Sequence, residues 1–308
     1  GVNVSASERI GFIGLGTMGK PMCLRLAAAG YEITGYDIAP GPLKEVVEAG
    51  VVAGTDNAEV ASRADLLLTS LANPDQVVTV MEDSGALAAL RPGSVWVDLS
   101  TNRRELVQRL SKKAPEGVSV ADAPLTGAVD GARNGRLTIF IGGAEATVAK
   151  AAPVLKHLGQ VISCGPLGAG NVVKLVTNQL WFVAAAAIGE GFALGVKHGV
   201  ALDVLWEAIT NSVGDSFVAR HDAPSIFAGH YDLSFTLDLC NKDLGLIAEL
   251  SKSLGVDLPM TEAAQATFAR AAKRYGGTMG ELHVAKLIED DAEVSFRLPG
   301  DWTPPWEQ

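Results

Sequence analysis

The stretch GLGTMGKP, Gly14 to Pro21, decides how the first half of the chain is read. As G-x-G-x-x-G it matches the glycine pattern of a dinucleotide-binding turn; as G-x-x-x-x-G-K it stops one residue short of the phosphate loop of nucleotide hydrolases. That loop requires Ser or Thr after the lysine, to ligate Mg2+. Pro21 stands there instead, with neither hydroxyl nor backbone N–H, and is tolerated because the first helical turn has unpaired donors in any case. The dinucleotide reading gains from its flanks: RIGFIG, 9–14, is a strand-like run, and the helix-like segment 18–29 is stopped by Gly30. In that setting Gly14 permits the tight turn, Gly16 lets backbone approach a pyrophosphate, and Gly19 lets helix and strand pack closely. Leu15, Thr17 and Met18 complete the turn at a helix start, where free N–H groups favour an anion.

Asp37 lies 18 residues beyond Gly19, at the end of the run YEITGYD. A carboxylate there accepts hydrogen bonds from the adenosine ribose hydroxyls; the alternative is a solvated loop residue. Ile38, Ala39 and Pro40 follow, so no adjacent arginine neutralises a 2′-phosphate. The expected cofactor is NAD rather than NADP.

The 308 residues are 48% apolar, with a formal net charge of −10 and a mean hydropathy of +0.22. Such a chain buries a sizeable core, and its acidic surface argues against nucleic acid as a partner. Cys23, Cys164 and Cys240 form neither a metal spacing nor a disulfide framework, and His157, His198, His221, His230 and His283 have no ligand spacing, so no metal is expected. The most apolar run, from Leu180, is broken by Glu190 and is read as too short to span a bilayer. GVNVSASE, at the start, lacks the basic and apolar regions of a secretory leader. A cytoplasmic protein is expected.

Strand-like runs recur at 9–14, 31–37, 65–71, 94–100, 118–124 and 137–143, alternating with helix candidates such as 18–29 and 103–113. That alternation predicts βαβ units and a Rossmann-type, doubly wound, mostly parallel sheet. After Gly165 the pattern turns helical: one long segment, about 169–198, apolar nearly all round, then 202–211, 244–254, 261–275 and 280–290. The expected organisation is a dinucleotide-binding domain, 1–166, and an all-α domain, 167–308, with the long helix buried between them.

Within that long helix Asn171, Lys174 and Asn178 recur at i, i+3 and i+7, a polar stripe on an apolar cylinder. A buried ammonium requires water, an ion pair or a ligand; a lysine tied to a nearby carboxylate satisfies the same pattern. Together with the glycine turn, three further blocks resemble the β-hydroxyacid dehydrogenases, which include 3-hydroxyisobutyrate dehydrogenase and tartronate semialdehyde reductase. They are DAPLTGAVDGARNGRLTIFIGG from Asp122, GAGNVVKLVTNQL from Gly168, and KDLGL from Lys242. In order and spacing the four span about residues 10–287.

The resemblance implies that Lys174 is the catalytic acid/base and that Asn178 holds the substrate or Lys174. It implies that Thr126, Gly127 and Ala128 bind the substrate carboxylate, that Ser100 and Thr101 lie close to substrate and cofactor, that Leu71 and Ala72 line the dinucleotide, and that Lys242 lies near the nicotinamide. The chemistry is consistent with this. A hydroxyl and two turn amides form a small anion-binding concavity, although T-G-A also suits a plain strand-to-helix turn. Hydride leaving an alcohol carbon requires a base within reach of the hydroxyl proton. A lysine of ordinary basicity is almost wholly protonated near neutrality, and burial or a nearby cation favours the neutral amine. The alternative for Lys242 is an ordinary surface pair with Asp243.

Three positions depart from the family pattern. Thr126-Gly127-Ala128 replaces S-G-G, so a Cβ narrows the anion site at a position that favours positive φ. Arg104 stands where a proline usually follows S-T-x-x, and Asn73 follows Leu71-Ala72 where Leu-Pro is common. These departures leave the substrate open, and Arg133 and Arg136 are read mainly as surface residues. The expectation is an NAD-dependent oxidoreductase acting on a small β-hydroxy acid. The rivals are an imine reductase of the same fold, which generally lacks the helix lysine, and a non-catalytic NAD-binding regulator. Homodimers or homotetramers are implied, and the tail LPGDWTPPWEQ is expected to cover Trp302 and Trp306 on a neighbouring subunit or on its own domain.

Overall fold

The computed structural model describes residues 8–303. The opening residues and Trp306 lie outside the described residues. The chain divides into two compact units, 1–174 and 175–308. The expected boundary after 166 differs from this division by the start of the long helix, which carries Asn171 and Lys174 within the first unit.

Among the described residues the first unit is built on nine strands: β1 (Arg9–Ile13), β2 (Glu32–Tyr36), β3 (Val52–Ala53), β4 (Leu66–Thr69), β5 (Val95–Asp98), β6 (Ser119–Asp122), β7 (Leu125–Thr126), β8 (Leu137–Gly142) and β9 (Gly159–Gly165). Their order is β3-β2-β1-β4-β5-β6-β8-β7, with β9 on β8. The strands from β3 to β6 are parallel, β8 runs antiparallel to β6 and β7, and β9 is parallel to β8. The alternation in β1 explains the layers. Ile10 and Phe12 enter one apolar cluster with Met22, Leu26 and Val97, while Ile13 enters another with Val60, Leu67 and Trp96. Successive side chains point to opposite faces of a sheet, so apolar residues on both faces require helices on both. Gly11 is small for the same reason: a Cβ there would lie 2.9 Å from Val60.

All six expected strands are present. The structure adds β3, β7 and β9. Two of these are two-residue pairings, too short for periodicity to register, and β9 ends at Gly165, the residue after which the sequence pattern turns helical.

The long helix spans Ala169–Lys197. By length and composition it could cross a membrane, yet Leu175, Phe182, Ala185, Ile188 and Phe192 belong to the core of the second unit. Burying each large side chain contributes roughly 1.5–3 kcal/mol. Further helices cover Leu202–Thr210, Ala223–Ala228, Leu237–Leu254, Pro259–Tyr275 and His283–Ala292. Among the described residues the second unit has one isolated β-bridge, Thr236 to Gly280. The helix expected from Leu244 begins at Leu237, because the Thr236 side chain caps it by accepting from Leu239 N. Lys242 and Asp243 therefore lie inside a helix rather than before one. Trp302 packs edge-on against Phe227 and Trp206, at 5.3 and 5.8 Å, within its own unit.

The second unit also buries Asp222, Asp232 and Glu281, each at most 5% exposed. Asp222 accepts from Trp181 Nε1 at 2.8 Å and lies 2.7 Å from His221 Nδ1. Burial, then the neighbouring carboxylates, raises Glu281 well above the usual range; burial, with a smaller contribution from Asp222, raises Asp232 to about 6. Raised folded-state values stabilise the protein below the unfolded carboxylate range and are lost as pH rises through the folded values, at roughly 1.4 kcal/mol per group per pH unit. Between about pH 4 and 6 for Asp232, and beyond for Glu281, wild-type stability should fall. Glu281→Gln is expected to raise the melting temperature at pH 8 by several degrees more than at pH 5. Equal shifts at both pH values, by scanning fluorimetry, would argue against a protonated Glu281.

Candidate active site

The glycine turn has the expected form. Gly14 adopts φ +95°, and its N–H donates to Tyr36 O at 3.1 Å. A Cβ on Gly14 would lie 2.1 Å from Ser70 O, and one on Gly19 would lie 1.9 Å from Gly14 O. Both glycines are therefore required by the close approach of the turn to its own surroundings. Gly16 differs: nothing lies within 4 Å of a Cβ built there. Open space beside a glycine at a helix start fits a bound pyrophosphate. The Asp37 carboxylate accepts from Leu15 N at 2.6 Å and Ala39 N at 2.8 Å. It thus orients the turn while lone pairs remain for further donors, and Ile38 beside it is 91% exposed.

At the carboxyl ends of the parallel strands, Leu71 N donates to Ser100 Oγ at 2.9 Å, bringing together two residues implicated separately. Ala72 N donates to Gln76 Oε1 at 3.2 Å. Thr101 follows directly, half-buried. Thr126 pairs with Thr138 in the β7–β8 ladder, and Gly127 turns at φ +129° into the helix Ala128–Asn134. Ala128 takes φ +59°. A position that favours positive φ is therefore occupied by an alanine, at a backbone cost of order 1 kcal/mol.

Lys174 is 8% exposed and Asn171 fully buried. The start of the long helix is held by Asp122, at the end of β6. One carboxylate oxygen accepts from Gly168 N at 2.8 Å; the other accepts from Asn171 N at 2.8 Å and Asn171 Nδ2 at 3.0 Å. Burial raises the Asp122 carboxyl, opposed by these donors. Asn171 Oδ1 accepts from Asn102 N at 2.7 Å, and Asn102 Nδ2 donates to Asp98 Oδ2 at 3.0 Å. Sequence reading missed Asp98, Asn102 and Asp122 as a group, because they converge only when β5, β6 and the long helix meet.

In the second unit, Asn178 Nδ2 donates to Asp243 Oδ2 at 2.9 Å, and Lys242 Nζ forms an ion pair with Asp243 Oδ1 at 3.1 Å. Asp243 is 3% exposed. The pairing of Lys242 with Asp243, expected as an alternative to a site role, is present, but it is no ordinary surface pair: its carboxylate is buried and also holds Asn178. The sequence places Asp243 only beside Lys242; its bond to Asn178, 65 residues away, has no local signature. Arg133 and Arg136 are exposed.

Residues 9–167 match the profile of the NAD-binding domain of 6-phosphogluconate dehydrogenase, and residues 168–288 that of the NAD-binding segment of NADP-dependent 3-hydroxyisobutyrate dehydrogenase. The chain is 38% identical to 2-(hydroxymethyl)glutarate dehydrogenase of Eubacterium barkeri, over 94% of this chain and 97% of that one. It is 32% identical to L-threonate dehydrogenase of Cupriavidus necator, over 96% and 97%. Among solved structures, that of 3-hydroxyisobutyrate dehydrogenase from Mycobacterium tuberculosis with L-serine is similar at a TM-score of 0.84 and 30% identity, covering 91% of this chain and 99% of that one. The chain belongs to the β-hydroxyacid dehydrogenase family. It is a nicotinamide-dependent oxidoreductase of hydroxy acids.

Proposed function

We propose that the enzyme interconverts a small β-hydroxy acid and its semialdehyde or β-keto acid, using NAD in preference to NADP, with Lys174 as general acid/base. The observation that carries this reading is the burial of Lys174 (8% exposed) in the first turns of a helix whose start is pinned at the carboxyl edge of the sheet, where open α/β sheets bind ligands. The relatives' names support the substrate class: 2-(hydroxymethyl)glutarate and 3-hydroxyisobutyrate are both carboxylates with a hydroxyl on the β carbon.

In this reading the turn from Gly14 to Gly19 holds the pyrophosphate and Asp37 holds the adenosine ribose, with Leu71, Ala72, Thr101 and Lys242 as further cofactor contacts. The nicotinamide, when bound, supplies hydride exchange at the hydroxyl-bearing carbon. Thr126, with the amides of Gly127 and Ala128, holds the substrate carboxylate, alongside Ser100 and Asn178. Lys174 Nζ takes the hydroxyl proton during oxidation and returns it to the carbonyl oxygen during reduction. An imine reductase or a silent NAD-binding regulator would have no use for that amine. A homodimer or homotetramer in the cytoplasm completes the proposal.

A panel of β-hydroxy acids with either dinucleotide, followed at 340 nm, tests it; absence of turnover throughout would sink the reading. Because a 2′-phosphate would meet Asp37 with no adjacent arginine, kcat/KM with NAD should exceed that with NADP by about tenfold or more, roughly 1.4 kcal/mol. Equal values would remove Asp37 from the ribose.

A further inference from the structure

We propose that Asn171 is a positioning residue: its side chain ties the helix turn that carries Lys174 to the strand end that carries Ser100, and so sets where the lysine amine lies. This inference rests on the reading of Lys174 as the acid/base.

The tie is a continuous chain of buried hydrogen bonds. Trp96 Nε1 donates to Thr69 Oγ1 at 2.9 Å, and Thr69 Oγ1 donates to Asp98 Oδ1 at 2.9 Å. The same carboxylate accepts from Ser100 N at 3.2 Å and from Asn102 Nδ2 at 3.0 Å. Asn102 N–H then reaches Asn171 Oδ1 at 2.7 Å, and Asn171 Nδ2 reaches Asp122 Oδ2 at 3.0 Å. Trp96, Thr69, Asp98, Asn102, Asn171 and Asp122 are all fully buried. Water therefore offers no replacement partner, and losing one link leaves a buried polar group unpaired.

Capping does not explain Asn171. The helix start has its partner in Asp122, which accepts the backbone N–H groups of Gly168 and Asn171; any residue at 171 except proline would keep both bonds. What the asparagine side chain adds is the acceptor for Asn102 and a further donor to Asp122. Close approach of the helix is already built in: a Cβ on Gly142 would lie 2.5 Å from Asp122 Oδ1, and one on Gly170 would lie 2.4 Å from Phe140 O. Residues three apart on a helix are neighbours on one face, so a displacement at 171 passes to Lys174 through rigid backbone. Misplacement of a reacting group by about 1 Å can cost on the order of a hundredfold in rate.

The test compares Asn171→Leu, which removes both side-chain bonds at similar volume, with Asn171→Asp. The latter keeps the acceptor for Asn102 but sets a second carboxylate against Asp122. Like charges at that distance favour a shared proton, which restores the donor as pH falls. The Leu variant should lose kcat by about ten- to a hundredfold, while NADH affinity by fluorescence titration stays within about twofold of wild type. Relative to wild type at each pH, the Asp variant should recover kcat between pH 8 and 5, and the Leu variant should not. Should the Leu variant fail to fold, the Asp variant's recovery still decides. Both variants near wild-type kcat at pH 8, an Asp variant without recovery, or losses that match the loss of folded protein by circular dichroism, would overturn the role. A fully active Lys174→Ala overturns the lysine reading itself; an inactive Lys174→Ala beside fully active Asn171 variants overturns the positioning role alone.

Discussion

Lys174→Ala should lower turnover by about a thousandfold or more, with NADH affinity left within about twofold of wild type. Oxidation of an alcohol releases a proton together with the hydride, and the side chain that receives it must be within hydrogen-bond reach and able to lose its own proton. Alanine supplies neither property. Lys174→Arg separates them: guanidinium keeps the charge and much of the length but stays protonated at any working pH. It should be nearly as inactive as alanine, whereas a lysine that only held the substrate by charge would be largely replaced by arginine. The affinity expectation follows from the glycine turn and Asp37, which the reading assigns to the dinucleotide and which lie far along the chain from the lysine. Stopped-flow measurement of hydride transfer with either variant checks the claim, and activity within about tenfold of wild type would remove Lys174 from the reaction.

Gly16→Val should weaken dinucleotide binding by about a hundredfold or more, the equivalent of roughly 2.7 kcal/mol, while leaving the melting temperature almost unchanged. A Cβ at Gly16 meets nothing within 4 Å, so the folded chain has room for the side chain and only a bound pyrophosphate would contest it. Gly19→Ala should behave in the opposite sense. Its Cβ would lie 1.9 Å from Gly14 O, backbone that has no rotamer to yield, so folding itself should suffer by a few kcal/mol. Scanning fluorimetry with and without NADH distinguishes the two. Wild-type NADH affinity in Gly16→Val would show that the phosphates lie elsewhere.

Much of the fold was legible in the chain. Six strand-like runs alternating with helices became six strands of the sheet, because burial on two faces imposes near-continuous apolar runs that survive as a local pattern. The turn from Gly14 to Gly19 was legible for a similar reason: positive φ at Gly14 and close packing at Gly19 are demands that neighbouring residues make on one another. Lys174 and Asn178 stood out because two polar residues one turn apart contradict an otherwise apolar helix. What stayed hidden was reciprocal.

Asp98, Asn102 and Asp122 have no spacing that links them to Asn171, which is separated from Asn102 by 69 residues and from Asp122 by 49. Asp243 reads as a plain partner of Lys242 until Asn178 is seen to share it. Ala128 departs from the glycine the family uses, and the chain alone gave no sign that the backbone would still turn at φ +59°. Periodicity and turn chemistry are local energies, expressed within a few residues of their cause. Pairing of buried polar groups is enforced only by the exclusion of water, and it takes the packed sheet and helix to decide which donor meets which acceptor.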